Sequence, residues 1–105
     1  MAMEITDSNY AALLAEGKPM ILDFWATWCG PCQLIGPMIE EMAEEFNGQI
    51  IIGKVDVDSN SELPGQFGIR NIPTLIFIKN GEVQKKLVGA QQKSVLVEEA
   101  KKLLA

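Results

Sequence analysis

Three features of the sequence predict an α/β fold, a mixed sheet with helices on both faces. Apolar strand-like runs alternate along the chain with segments of helical period. Two of those runs, Met20 to Trp25 and Ile50 to Val57, carry few polar residues, as strands covered on both faces do. An Asn80-Gly81 pair separates two further strand-like runs, a strong hairpin signal. At 105 residues, 48% hydrophobic and 22% charged, the chain has the size and make-up of one folded domain over residues 1–105.

A first strand is expected around Met3 to Thr6. Asp7 or Ser8 would then cap a short helix through Leu13 and Leu14 that Gly17 ends. Pro19 opens the second strand, Met20 to Trp25. From Pro31 to about Phe46 the period is helical, with Leu34, Ile35, Met38, Ile39, Met42 and Phe46 as the core stripe. Glu40, Glu41, Glu44 and Glu45 take the opposite face, and Pro37 should kink the helix. Ile50 to Val57 reads as the third strand and Ser59 to Phe67 as a short helix stopped by Gly68. Thr74 to Lys79 and Glu82 to Val88 form the hairpin, and Gln84, Lys85 and Lys86 mark the second of these as an exposed edge. The terminal helix is expected to bury Val95, Leu96, Ala100, Leu103 and Leu104. Right-handed crossovers make the second and third strands parallel, and the hairpin adds an antiparallel edge.

Composition excludes several functions. The net charge is −5, with eight Lys and one Arg spread along the chain, so a nucleic-acid phosphate backbone is not an expected partner. The longest apolar runs are far shorter than the roughly 20 residues a spanning helix needs. Met1-Ala2-Met3-Glu4 does not resemble a secretory signal, which points to the cytoplasm. No His is present, so Ser-His-Asp triads, Cys-His pairs and His-ligated metals cannot be built.

What remains is a pair of cysteines, Cys29 and Cys32, directly after a buried strand and at the start of a helix. A bridge over so short a loop contributes little to stability by the chain-entropy model. A zinc site would need two more ligands, and the chain has no third Cys; a cluster shared by two chains stays open. A helix N-terminus offers unpaired N–H groups and a positive dipole end, which favour the thiolate. Cys29 occupies that end and is the expected nucleophile, with Pro31 suited to the first turn. Cys32, one turn further in and less exposed, is placed to attack a mixed disulfide at Cys29. Asp23 lies inside an apolar strand, where burial should raise its pKa.

Trp25-Ala26-Thr27-Trp28-Cys29-Gly30-Pro31-Cys32 resembles the active-site signature of the thioredoxin family, and Arg70-Asn71-Ile72-Pro73-Thr74 resembles its second hallmark. Lys79-Asn80-Gly81-Glu82 and Val88-Gly89-Ala90 match in order and spacing. The resemblance implies the thioredoxin fold, a central five-stranded mixed sheet flanked by four helices. It implies a protein-disulfide reductase recharged by a thioredoxin reductase that draws on NADPH, with no cofactor or metal on the chain itself and a monomeric state. Asp23 would accept a proton from Cys32, with Lys54 near it. The Ile72–Pro73 bond would be cis and face the dithiol, and the Ile72 backbone would pair with an extended substrate segment. Trp28, Gly30, Pro31, Ile72, Pro73, Gly89 and Ala90 would form an apolar docking patch, with Trp25 more buried than Trp28. Gly30-Pro31 between the cysteines resembles the reducing members. Gln33, Asn71, Gln91 and Gln92 depart from the family pattern and bear on partner choice rather than on the chemistry. Two other roles stay open, a binding module that uses the fold without turnover and an oxidase or isomerase.

Overall fold

A computed structural model describes residues 2–105. Strand β1 (Met3–Glu4) is followed by helix α1 (Tyr10–Leu14), strand β2 (Met20–Trp25) and helix α2 (Gly30–Glu45). Strand β3 (Ile51–Asp56), helix α3 (Glu62–Gln66), strands β4 (Thr74–Lys79) and β5 (Glu82–Val88) and helix α4 (Lys93–Leu103) complete the chain. The strands form one sheet in the order β1-β3-β2-β4-β5. β1 and β2 run parallel to β3, while β4 is antiparallel to both β2 and β5. This is the five-stranded mixed sheet with four helices that the family resemblance implied.

Side chains alternate across a strand, so each buried strand feeds two cores. Ile21, Ile52, Leu75 and Phe77 pack with Ile35, Ile39 and Met42 of α2 and Leu96, Ala100 and Leu103 of α4. Met20, Leu22, Phe24, Val55, Ile76 and Ile78 pack on the other side with Tyr10 of α1 and Leu63 of α3. Lys93 ties α4 to α2 through Glu45 at 2.7 Å and Glu41 at 3.3 Å. Asn80 and Gly81 both take positive φ, 54° and 78°, the conformation that a two-residue hairpin turn needs.

Several expectations are corrected. β1 has two residues, not four, and β3 and α3 are shorter than read. Neither Asp7 nor Ser8 caps α1. Its N-cap is Asn9, whose Oδ1 accepts from the Thr6 N–H at 2.7 Å while the Asn9 N–H donates to Thr6 Oγ1 at 3.2 Å. Asp7 caps α3 instead, from more than fifty residues away: its carboxylate accepts the N–H groups of Ser61, Glu62 and Leu63. Leu34 fits the helical period but, near the start of α2, is 68% exposed. Val95 and Leu104 sit at the two ends of α4 and are also exposed.

Candidate active site

Strand direction brings four separate segments to one edge of the sheet. The carboxyl ends of parallel β2 and β3 lie there, followed by residues 26–29 and 57–61. β4 runs the other way, so its start after Pro73 lies at the same edge, and β5 returns to end there at Val88. The Gly89 N–H donates to the Pro73 carbonyl at 2.8 Å and joins the last two segments.

The dithiol stands where β2 turns into α2. Cys29 is the N-cap, with extended backbone (φ −89°, ψ 109°), and its Sγ accepts the Cys32 N–H at 3.2 Å. A sulfur thus takes the place that a Ser or Asp oxygen fills at an ordinary N-cap, and a helix-end N–H points at it. Pro31 occupies the first turn, where no N–H is required. The two cysteines are joined as a disulfide, with Cα atoms 5.3 Å apart. Cys29 is 5% exposed and Cys32 4%, so cover does not distinguish them as the sequence suggested. Their places on the helix do: Cys29 precedes it and Cys32 lies inside the first turn.

Trp25, Val57 and Ile72 pack against the cysteine pair and Ala26. The Ile72–Pro73 bond is cis, and the Ile72 carbonyl oxygen lies 3.7 Å from Cys29 Sγ. In the disulfide that is a van der Waals approach; a reduced thiol could donate there. Trp28, Gly30, Pro31, Leu34 and Ala90 are exposed around the pair, Ile72 and Gly89 are half-buried, and Pro73 is buried. Trp28 is 69% exposed, and its indole N–H donates to Asp58 Oδ2 at 2.8 Å. That bond fixes the ring's orientation at the rim.

Asp23 is in the sheet beneath α2, on the same face as Ile21, in register with Leu75 on one side and Lys54 on the other. It is 1% exposed, and neither carboxylate oxygen has a hydrogen-bond partner. Burial pushes its pKa up to about 7, against the pull of the Lys54 ammonium. Lys54 is half-buried and makes no ion pair among the described residues; its Nζ lies 4.3 Å from the centroid of the Trp25 ring.

The family model described as Thioredoxin matches residues 1–102. The chain belongs to the thioredoxin family. It is 46% identical over 94 residues to a thioredoxin of Chlorobaculum thiosulfatiphilum, covering 89% of this chain and 87% of that one. With thioredoxin 2 of Chlorobaculum tepidum it shares 48% over 101 residues, 95% of this chain and 90% of the other. A bifunctional thioredoxin reductase/thioredoxin of Mycobacterium leprae is 42% identical over 98 residues, which span 92% of this chain and 21% of that protein. The family's activity, dithiol–disulfide exchange on proteins, fits the Cys29–Cys32 pair, and thioredoxins carry it out without a cofactor. Among the described residues no three of His, Cys, Asp and Glu are grouped as a metal would need, and no helix is long and apolar enough to cross a membrane.

The expected site residues therefore fall into two groups. Cys29, Cys32, Trp28, Gly30, Pro31, Ile72, Pro73, Gly89 and Ala90 gather at the one edge, while Asp23 and Lys54 lie in the sheet below α2. Sequence reasoning missed Val57, Asp58 and Leu34. An acid just past a strand looks like any solvated residue, and only its distance to the Trp28 indole marks it. Leu34 has the period of a core residue, and only its exposure in the fold sets it apart.

Proposed function

We propose that the chain is a protein-disulfide reductase that works through Cys29 as nucleophile and Cys32 as resolving thiol. The Cys29 thiolate attacks one sulfur of a substrate disulfide; the S–S bond breaks and the leaving sulfur departs as a thiolate that takes a proton. Cys32, having passed its proton to Asp23, attacks Cys29 Sγ. The second substrate thiolate is released, and the chain is left with its own disulfide. Two electrons then return it to the dithiol. A thioredoxin reductase drawing on NADPH would supply them, a partner suggested by the fusion of the two activities in the Mycobacterium leprae relative. Lys54 lowers the cost of charge on Asp23. Trp28, Gly30, Pro31, Ile72, Gly89 and Ala90 form the docking surface, and the Ile72 backbone pairs with the substrate. Pro73, buried, shapes that segment. The chain acts as a single domain, as a monomer and in the cytoplasm.

The observation that carries this reading is the position of Cys29. Its sulfur sits at the N-terminus of a 16-residue helix, receives a helix N–H and borders the Ile72 carbonyl at an open edge of the sheet. The test is insulin reduction at neutral pH in wild type, Cys29→Ser and Cys32→Ser. Cys29→Ser should be inactive, and Cys32→Ser should accumulate a mixed disulfide with insulin. Full activity in Cys29→Ser, or no adduct with Cys32→Ser, would overturn the assignment. The direction of transfer is read from the reduction potential against a glutathione buffer. A value well below the glutathione poise is expected; one roughly 100 mV or more higher would make the chain an oxidant.

A further inference from the structure

Lys54 is in register with two acids, Asp23 on β2 and Glu4 on β1, yet forms an ion pair with neither. Its ammonium instead lies 4.3 Å from the centroid of the Trp25 ring. Trp25 is two residues after Asp23 on the same strand, so both side chains leave the same face of the sheet. From α2 the ammonium is approached by Gly36, where a Cβ would come within 3.9 Å of Nζ. On the outer side a cavity of about 130 Å³ is lined by Ala2, Met3, Glu4, Trp25 and Lys54. A lysine with two carboxylates in register and a path to solvent has three places to put its charge. The ring face selects among them, because a cation over an indole is held by the ring quadrupole without giving up all of its water.

We propose that Trp25 is a positioning residue whose ring holds the Lys54 ammonium on the Asp23 side of this cavity, and so sets how strongly Lys54 acts on that carboxyl. The inference deepens the reading of Asp23 and Lys54 given above and rests on it. The charged groups around the pair are few. Asp23 has Lys54 beside it on β3 and the apolar Leu75 on β4, and both cysteines are locked in the disulfide. Lys54 has Glu4 beside it on β1 and Asp56 two residues on along its own strand; Glu40 of α2 is engaged by the Ala2 N–H at 2.7 Å. With the ring cut back, the ammonium is expected to swing outward toward water and Glu4, which weakens its hold on the ionised Asp23.

The test follows the Asp23 carboxyl by carbon NMR against pH in the oxidised protein. The cysteines do not titrate there and no turnover is involved, so a chain inert as a reductase would still answer the question. Lys54→Met should raise the Asp23 midpoint. Trp25→Leu should also raise it, by about half a pH unit, and should raise it no further in the Lys54→Met background. No shift or a downward shift in Trp25→Leu would overturn the proposal, as would an equal shift with Lys54 absent. If Trp25→Leu does not fold, the wild type decides: the Lys54 ε-protons should be displaced upfield by the ring current. Resonance at the ordinary lysine position would overturn the inference.

Discussion

Asp23 shows how one residue can be legible as buried from the sequence and costly in stability. It is a carboxyl among apolar neighbours, with no hydrogen bond and a pKa raised to about 7. An unfolded chain would ionise it near 3.8. Between those two values the native state binds a proton that the unfolded state has lost, so Asp23 makes stability fall as pH rises from about 4 to about 7. Above that range the penalty is constant, on the order of 4 kcal/mol. Asp23→Asn removes the ionisation but keeps a buried, unsatisfied polar group. It should therefore match wild type near pH 4 and exceed it by about 2–4 kcal/mol at pH 8.5, as read from urea unfolding at the two pH values. On the proposed role of Asp23 as proton acceptor for Cys32, the same variant should resolve mixed disulfides at least roughly tenfold more slowly at neutral pH. Equal pH dependence in the two proteins would refute the account. Asp23 was legible because its strand has no wet face for it to point into. Asp58 was not, because an exposed acid acquires meaning only when the Trp28 indole is seen to donate to it.

At the scale of elements, every strand and helix was read in place, but only the strands bounded by clear breaks were read to their ends. β2, β4 and β5 begin and end where apolar runs, Pro19 and Asn80-Gly81 place them. α1 and α3 have five residues each, too few for a period to define, and the start of α3 depends on a partner remote in sequence. α3 is the clearer case, because its first turn is satisfied by Asp7, whose hydrogen bonds to Leu63, Glu62 and Ser61 hold the carboxyl below its ordinary pKa. For a lowered acid the stabilisation is complete above 3.8 and is lost as pH falls through the folded value. Asp7→Ala should leave the strand amides protected and abolish hydrogen-exchange protection at residues 61–63. Unchanged protection there would mean that α3 is held by Leu63 packing alone. The β1–β3 contact is equally specific. A Cβ on Gly53 would lie 2.5 Å from Ile5 Cδ1 and 2.8 Å from the Met3 carbonyl, and the carbonyl cannot step aside without parting the strands. Gly53→Ala should cost about 1–3 kcal/mol in a urea titration.

The whole molecule carries a net charge of −5, and the rim of the site does not offset it. Asp58 flanks Trp28, and the position after Cys32 holds Gln33, an exposed side chain whose amide donates to the Thr27 carbonyl at 3.4 Å. On the proposed docking surface, contact would be apolar, within a long-range field that repels acidic proteins and attracts basic ones. Salt screens such a field within about 8 Å at physiological strength, so its effect on rate belongs to dilute buffer. Reduction of an acidic substrate should speed up as salt is added, and reduction of a basic one should slow down. Gln33→Lys changes the net charge to −4 and places the new charge beside the dithiol. It should raise kcat/KM for the acidic substrate by about two- to tenfold at low salt, leave the basic one unchanged or slower, and converge with wild type near 0.5 M salt as the Debye length shrinks to roughly 4 Å. A gain that persists at high salt would locate the effect of Gln33 in the thiols themselves, through the charge that Cys29 carries at the head of α2, and the field would then have no part in choosing substrates.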